Sequence, residues 1–371
     1  MIIFLLIFLS LYGGLNFYAF FRAKDVFNFS GKTEIIIIIL LIFLILAPII
    51  IRLAEKLNLE ILARSVAYCG YLWMAFIFLF FFVNISFDIA RYLLKLFSQE
   101  LGNAQTRNIF FFMAVFLSFS FVVFGFFDAQ KIRIKKLEIY TEKLSSNNER
   151  LRIVQLSDVH IGLIIRDKRL KVILKSVKDA KPDILVSTGD LLDGEVDNVT
   201  IEAGQFAEIK PKYGKYAVTG NHEYYAGIEK SLEFTKNAGF EILRDESKKV
   251  AGINIIGLED PTGRQQGLIR KSVSLSNLFP QKQSNEFVLL LKHQPIIKED
   301  VIFDLQLSGH THGGQIFPFI FFTRIFFPIH SGYHKLSDNK LVYISNGAGT
   351  WGPPIRFLAP PEITVIDLIK K

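Results

Sequence analysis

Residues 151–190 read LRIVQLSDVHIGLIIRDKRLKVILKSVKDAKPDILVSTGD. The run LRIVQLS is short and apolar, 167–180 carries its leucines, isoleucine and valines at helical spacing, and DILVSTG is a second apolar run closed by a turn. A strand, a helix and a strand follow, the opening of a βαβ unit. Downstream, KYAVTG, GINIIGL, FVLLLK, DLQLSG, KLVYISN and EITVIDL read as further strands, with a helix over 228–238 between two of them. This order implies an α/β fold with mixed sheets.

Polar residues of one chemical kind stand directly after most of these strands. They are Asp158 and His160 in SDVH, Asp190 in STGD, Asn221 and His222 in TGNHE, His293 in KHQP, and His310 and His312 in SGHTHGG. Ligands of α/β sheets gather at such carboxyl ends. Taken singly, a histidine or aspartate there is a turn, a cap or a structural hydrogen bond more often than a ligand. Taken together, oxygen and imidazole groups at five successive strand ends, beside glycines that let the backbone turn sharply, are what a divalent-metal site requires.

The series DxH, GD, GNH[DE], a histidine soon followed by proline, and GHTH resembles the calcineurin-like metallophosphoesterases, over roughly 151–368. GHTHGGQ, then YISNGAGTWGPPIR and PPEITVIDL, is similar to the bacterial YkuE/YaeI-type branch. The resemblance implies a four-layered αββα sandwich with the site along one edge of the sheets. It also implies two divalent metal ions, manganese or zinc first and iron or cobalt after them. Asp158, His160 and His312 would ligate one metal, Asn221, His293 and His310 the other, and Asp190 would bridge. His222 would sit beside the substrate phosphate. Two metals about 3.5 to 4 Å apart supply a bridging hydroxide for in-line attack and hold the nonbridging phosphoryl oxygens. His222 is then the candidate partner of the leaving oxygen, as a general acid or as a stabiliser of the transition-state charge.

Working outward, the chain is 371 residues, half of them hydrophobic, with 37 phenylalanines. Its mean hydropathy is +0.33, which is too apolar for a water-soluble protein of this length. The excess lies before residue 130. Stretches 2–21, 35–51, 66–87 and 109–127 approach the roughly 20 residues that cross a bilayer as helix. The expected organisation is therefore a membrane region over 1–130, a connecting segment over 131–150, and the phosphoesterase domain over 151–371. The first stretch lacks a basic residue before its apolar core and a small-residue cleavage site after it, so it reads as a retained helix. Asp88, near a span end beside Arg91, reads as an interfacial residue rather than part of a transport path.

The lysine and arginine bias puts Arg52, Lys56, Arg64, Lys131, Arg133, Lys135 and Lys136 on one side, against Arg22, Lys24, Lys32, Arg91, Lys95 and Arg107. By one charge this places the catalytic domain in the cytoplasm, on an inner-membrane, multi-pass protein. The single cysteine, Cys69, excludes an intrachain disulfide. The net charge of +8 comes without a dense basic run interleaved with aromatics, so no nucleic-acid partner is expected.

After GHTHGGQ the residues 316–330 run IFPFIFFTRIFFPIH. Two readings stand, a buried core segment or an exposed loop that rests on the bilayer or grips an acyl chain. With the membrane region, the second favours a lipid-linked phosphoester or pyrophosphate. The related branch includes enzymes acting on phospholipids and a UDP-diacylglucosamine hydrolase, and the resemblance puts those substrate classes first. The alternative of a different class is a membrane sensor or scaffold that binds a phospho-ligand without turnover.

Overall fold

Four long helices precede the first strand: α1 (Ile2–Phe27), α2 (Lys32–Lys56), α3 (Glu60–Lys95) and α4 (Ala104–Asp128). Each is long and apolar enough to cross a membrane. Long apolar runs dictate this despite Gly13-Gly14 in α1 and Pro48 in α2, because a backbone in lipid must satisfy its own hydrogen bonds. The structure is a computed structural model that describes residues 2–96, 104–145, 149–194, 199–269, 278–280, 285–297, 301–337 and 339–371. The chain divides into two compact units, Met1–Asp128 with Gly352–Phe357, and Ala129–Trp351 with Leu358–Lys371.

In the helical unit, small residues set the helix spacing. A Cβ on Gly70 of α3 would lie 2.6 Å from the Ala47 side chain of α2, the close approach that packs apolar helices. Polar groups find each other inside the bundle: Trp73 Nε1 donates to Asn16 Oδ1 at 2.8 Å. Asp88 has a nearer partner than the Arg91 expected from sequence. Arg22 of α1 lies 2.9 Å from it and Arg91 lies 3.9 Å away. Within this unit the Phe357 ring stacks on Phe121 at 4.6 Å, and the Arg356 amide donates to the Gly125 carbonyl at 2.9 Å.

The second unit is built on two six-stranded mixed sheets. The first contains β1 (Arg133–Thr141), β2 (Arg150–Leu156), β3 (Ile184–Ser187), β4 (Lys215–Ala217), β5 (Glu241–Ile242) and β12 (Glu362–Lys370), in the order β1-β12-β2-β3-β4-β5. The second contains β6 (Glu246–Val250), β7 (Ile253–Gly257), β8 (Phe287–Leu291), β9 (Leu305–Ser308), β10 (Gly332–Ser337) and β11 (Lys340–Ile344), in the order β10-β11-β9-β8-β7-β6. Strands β2 to β5 run parallel, as do β7, β8, β9 and β11.

The sheets pack face to face through Ile153, Ile184, Val186 and Leu151 from one and Ile255, Leu289, Leu291 and Leu307 from the other. Helices α5 (Asp167–Ala180), α6 (Thr200–Ala207) and α8 (Ile228–Asn237) cover the outer face of the first sheet through Leu170, Ile173, Phe206 and Phe234. The outer face of the second sheet is covered by Phe279, Val301 and Phe303 among the described residues. This is the layered α/β sandwich, with both sheets ending their parallel strands along one edge.

The segment 131–150 is not only a connection. Arg133–Thr141 pairs in parallel with β12 as an edge strand. Leu137 and Ile139 turn into the intersheet core while Lys135, Lys136 and Glu138 face water, the charged edge that discourages pairing with another chain.

Candidate metal centre

Strands β2, β3 and β9 deliver their polar residues by leaving the sheet abruptly. Asp158 (φ 51°), His160 (φ 53°), Asp190 (φ 54°), His310 (φ 73°) and His312 (φ 51°) all adopt left-handed backbone, a conformation that side chains with a Cβ rarely take and that functional sites hold under strain. The loops also pass so closely that glycine is required. A Cβ on Gly220 would meet Asp190 Oδ1 at 2.2 Å, and one on Gly309 would fall on Ser157 Oγ and Asp158 Oδ2.

The eight residues singled out in the sequence converge. Asp158, His160 and His312 each point one ligand atom into a common space, and Asp190, His293 and His310 do the same beside it. His160 Nε2 and His312 Nε2 are 3.0 Å apart, and His312 Nε2 is 3.6 Å from Asp158 Oδ1. In the second group His293 Nε2 lies 3.1 Å from Asp190 Oδ2, 3.1 Å from Asn221 Oδ1 and 3.2 Å from His310 Nδ1. Asp190 Oδ2 is also 3.8 Å from His160 Nε2, so its carboxylate stands between the two groups. His293 Nδ1 is fixed at 2.8 Å from the Thr188 carbonyl, which leaves Nε2 free for the site. Imidazole nitrogens and carboxylate oxygens facing one another in buried space fit divalent cations and little else.

The electrostatics agree. Burial pushes the Asp158 carboxyl up. Burial acts the same way on Asp190, but the His293 and His222 charges outweigh it and hold that carboxyl well below its usual range. Burial would lower His293, yet Asp190 raises it well above the ordinary histidine value. His310, buried and facing charged His293, is pushed down to about 3. In the metal-free site protons thus collect on His293, where a cation would neutralise Asp190 instead.

Two further residues belong to the site and were not singled out from sequence. Asp193 Oδ1 lies 3.1 Å from His222 Nδ1 and 3.4 Å from His160 Nδ1. Burial opposes a charge on His222, but Asp190 and Asp193 raise it to about 9. Glu223, buried at the base of α7 (Asn221–Ala226), accepts from the backbone amides of Asp190 (3.0 Å), Leu191 (2.8 Å) and Gly220 (2.7 Å). It ties the loop after β3 to the loop after β4. The letters TGDLLDG and TGNHE contain both residues, and the repeat of an acid three positions after Asp190 was the available signal.

The family model for calcineurin-like phosphoesterases matches residues 151–314. The chain is similar to an uncharacterised metallophosphoesterase of Aquifex aeolicus, 39% identical over 242 residues that cover 64% of this chain and 92% of the relative. The chain belongs to the calcineurin-like metallophosphoesterases. This phosphoesterase is also similar to a metallophosphoesterase of Campylobacter jejuni, 30% identical over 99% of this chain and 98% of the relative, helices included. The YkuE protein of Bacillus subtilis is 30% identical over 58% of this chain and 78% of its own length. As a member of the family it is a metal-dependent hydrolase of phosphoester bonds, and its four apolar helices mark it as a membrane protein.

The aromatic segment has no buried residue over 317–329, between buried Ile316 and His330. The short helix Ile320–Phe326 has no buried residue, and Ile325 and Phe326 are 73% and 77% exposed. Phe327 follows it with its ring 5.0 Å from that of His310. Of the two readings made from sequence, a buried core is excluded.

Proposed function

We propose that this membrane-anchored phosphoesterase hydrolyses a phosphoester or pyrophosphate bond of a lipid-linked substrate at a two-metal centre. The observation that carries the reading is the pair of donor groups with Asp190 between them and an exposed aromatic helix that ends beside His310. Asp158, His160 and His312 would hold one ion, and Asn221, His293 and His310 the other, with manganese or zinc first in line. When bound, the ions supply charge neutralisation at the phosphoryl oxygens and a water acidic enough to attack at neutral pH.

The protein's own groups complete the reaction. His222 directs Nδ1 at Asp193, so Nε2 is the atom that carries a proton to the leaving oxygen. Glu223 and Thr188 keep the loops and the His293 ring from turning away. The pairing of His222 with Asp193 favours turnover over the alternative of a sensor that only binds.

The apolar helix Ile320–Phe326 supports an acyl or prenyl chain on the His310 side of the site. The test is a metal-supplemented assay of the full chain with Phe321, Phe322 and Phe326 changed to serine. Phe327 is left in place because it packs on His310. Hydrolysis of detergent-dispersed phospholipid should fall about tenfold, the worth of ~1.4 kcal/mol of apolar contact, while p-nitrophenyl phosphate is cleaved as before. Equal loss of both activities would contradict the lipid reading.

We also infer the side of the membrane. Basic residues count toward orientation within about 15–20 residues of a span end. Arg133, Lys135 and Lys136 belong to β1 but follow the end of α4 within that reach, so the excess of one charge stays on the side of the phosphoesterase domain. The domain is then on the cytoplasmic face.

A further inference from the structure

One end of the helical unit gathers three guanidinium groups from three helices. Arg22 of α1 contacts Asp88 at 2.9 Å and Asn84 Oδ1 at 3.4 Å. Arg91 of α3 approaches the same Asp88 oxygen at 3.9 Å. Arg107 of α4 donates to the Asp25 carbonyl at 3.2 Å, about one helical turn along α1 from Arg22. Ring contacts of Phe27 with Phe111 (5.9 Å) and Phe87 with Phe110 (5.1 Å) hold these three helix ends together.

The level of the cluster is defined by the sequence. The apolar stretch of α1 stops at Phe21, immediately before Arg22; that of α3 stops at Phe87, immediately before Asp88; that of α4 starts at Ile109, just after Arg107 and Asn108. All three boundaries fall together, which is where lipid headgroups meet the hydrocarbon layer.

The cluster also holds unpaired donors among the described residues. Arg22 and Arg91 share the Asp88 carboxylate, and Arg107 donates to the backbone oxygen of Asp25. Asn84 is fully buried, and among the described residues its Nδ2, together with Arg107 Nε, has no acceptor in hydrogen-bonding geometry. Flanking lysines that merely reach into water would leave no such buried donors.

We propose that this level of the helical unit binds the phosphate headgroup of an anionic phospholipid. Arg91 and Arg107 are its phosphate ligands, the Asn84 amide adds a donor, and Arg22 holds Asp88 aside. Guanidinium groups suit a phosphate because two parallel N–H donors meet two oxygens. The site is independent of the substrate read above.

The test uses the full chain in dodecyl maltoside, with phosphatidylglycerol, phosphatidylcholine or inorganic phosphate added. Lipid retention is counted by native mass spectrometry, and Tm is followed against lipid concentration. Phosphatidylglycerol should be retained and should raise Tm, whereas phosphatidylcholine and inorganic phosphate should not. Arg91→Gln and Arg107→Gln should each weaken retention about fivefold, as one basic group at a membrane surface is worth ~1 kcal/mol. Asp88→Asn removes the competing carboxylate and should tighten it, a gain that does not depend on how the arginine variants fold. Equal retention of the two lipids, stabilisation by inorganic phosphate alone, or no gain in Asp88→Asn would each overturn the proposal.

Discussion

Asp193 shows how much one side chain decides at this centre. Its carboxylate faces Nδ1 of both His160 and His222, so it sets which nitrogen of each ring turns toward the metals and substrate. With Asp190 it holds His222 protonated to about 9 in the metal-free site. A histidine that donates from Nε2 while its Nδ1–H faces a carboxylate must be doubly protonated before it reacts, so turnover falls as pH rises through its pKa. Removing a neighbouring carboxylate lowers that pKa. In Asp193→Asn the alkaline limb of the kcat profile should therefore move to lower pH, and an unmoved limb would remove His222 from the acid role. Asp190→Ala should lose metal, read by elemental analysis, together with activity. His222→Asn should keep its metal and lose about 10²- to 10⁴-fold in kcat, least for p-nitrophenyl phosphate. The eight residues chosen from sequence were legible because each follows an apolar run directly. Asp193 and Glu223 were harder to read, since the spacing from Asp190 marks an acid near the site without telling one that orients a histidine from one that caps a loop.

At the level of elements, Lys215 joins one strand to two helices. Its Nζ, buried behind β4, donates to the Phe206 carbonyl at 2.8 Å and the Ala238 carbonyl at 2.5 Å, closing the ends of α6 and α8. Burial pulls its ammonium down to about 8, so the folded chain gives up this proton before the unfolded chain does. Stability is then expected to rise as pH goes from about 8 toward the unfolded value of 10.5. Lys215→Met should lower stability by about 1–3 kcal/mol, the penalty for buried acceptors left unpaired, and should flatten that rise in chemical denaturation. A variant as stable as the parent would deny the strand-to-helix link. The long apolar helices and most strands were legible from periodicity. β1 was harder to place, because an edge strand buries Ile139, covers Leu137 only in part and wears charged residues elsewhere. The helix Ile320–Phe326 was unreadable as exposed, because nothing in a run of phenylalanines says which solvent it faces.

For the whole molecule, the side of the membrane follows from where charges are counted. Fusion of green fluorescent protein to the C-terminus should fluoresce and fusion of alkaline phosphatase should be inactive, as expected for a cytoplasmic domain. The reverse pattern would move the domain to the outer face. The sheet order holds one more consequence. β12, at 362–370, lies between β1 and β2, the two strands that open the domain. A chain made from its N-terminus at ~5–20 residues per second waits more than 200 residues for the partner of its first strand. During synthesis the nascent domain therefore hangs from its finished helices with the edge of β2 bare, open to chaperones and proteases. A frameshift shortly before residue 362 would leave every metal-site side chain encoded and the first sheet impossible to close.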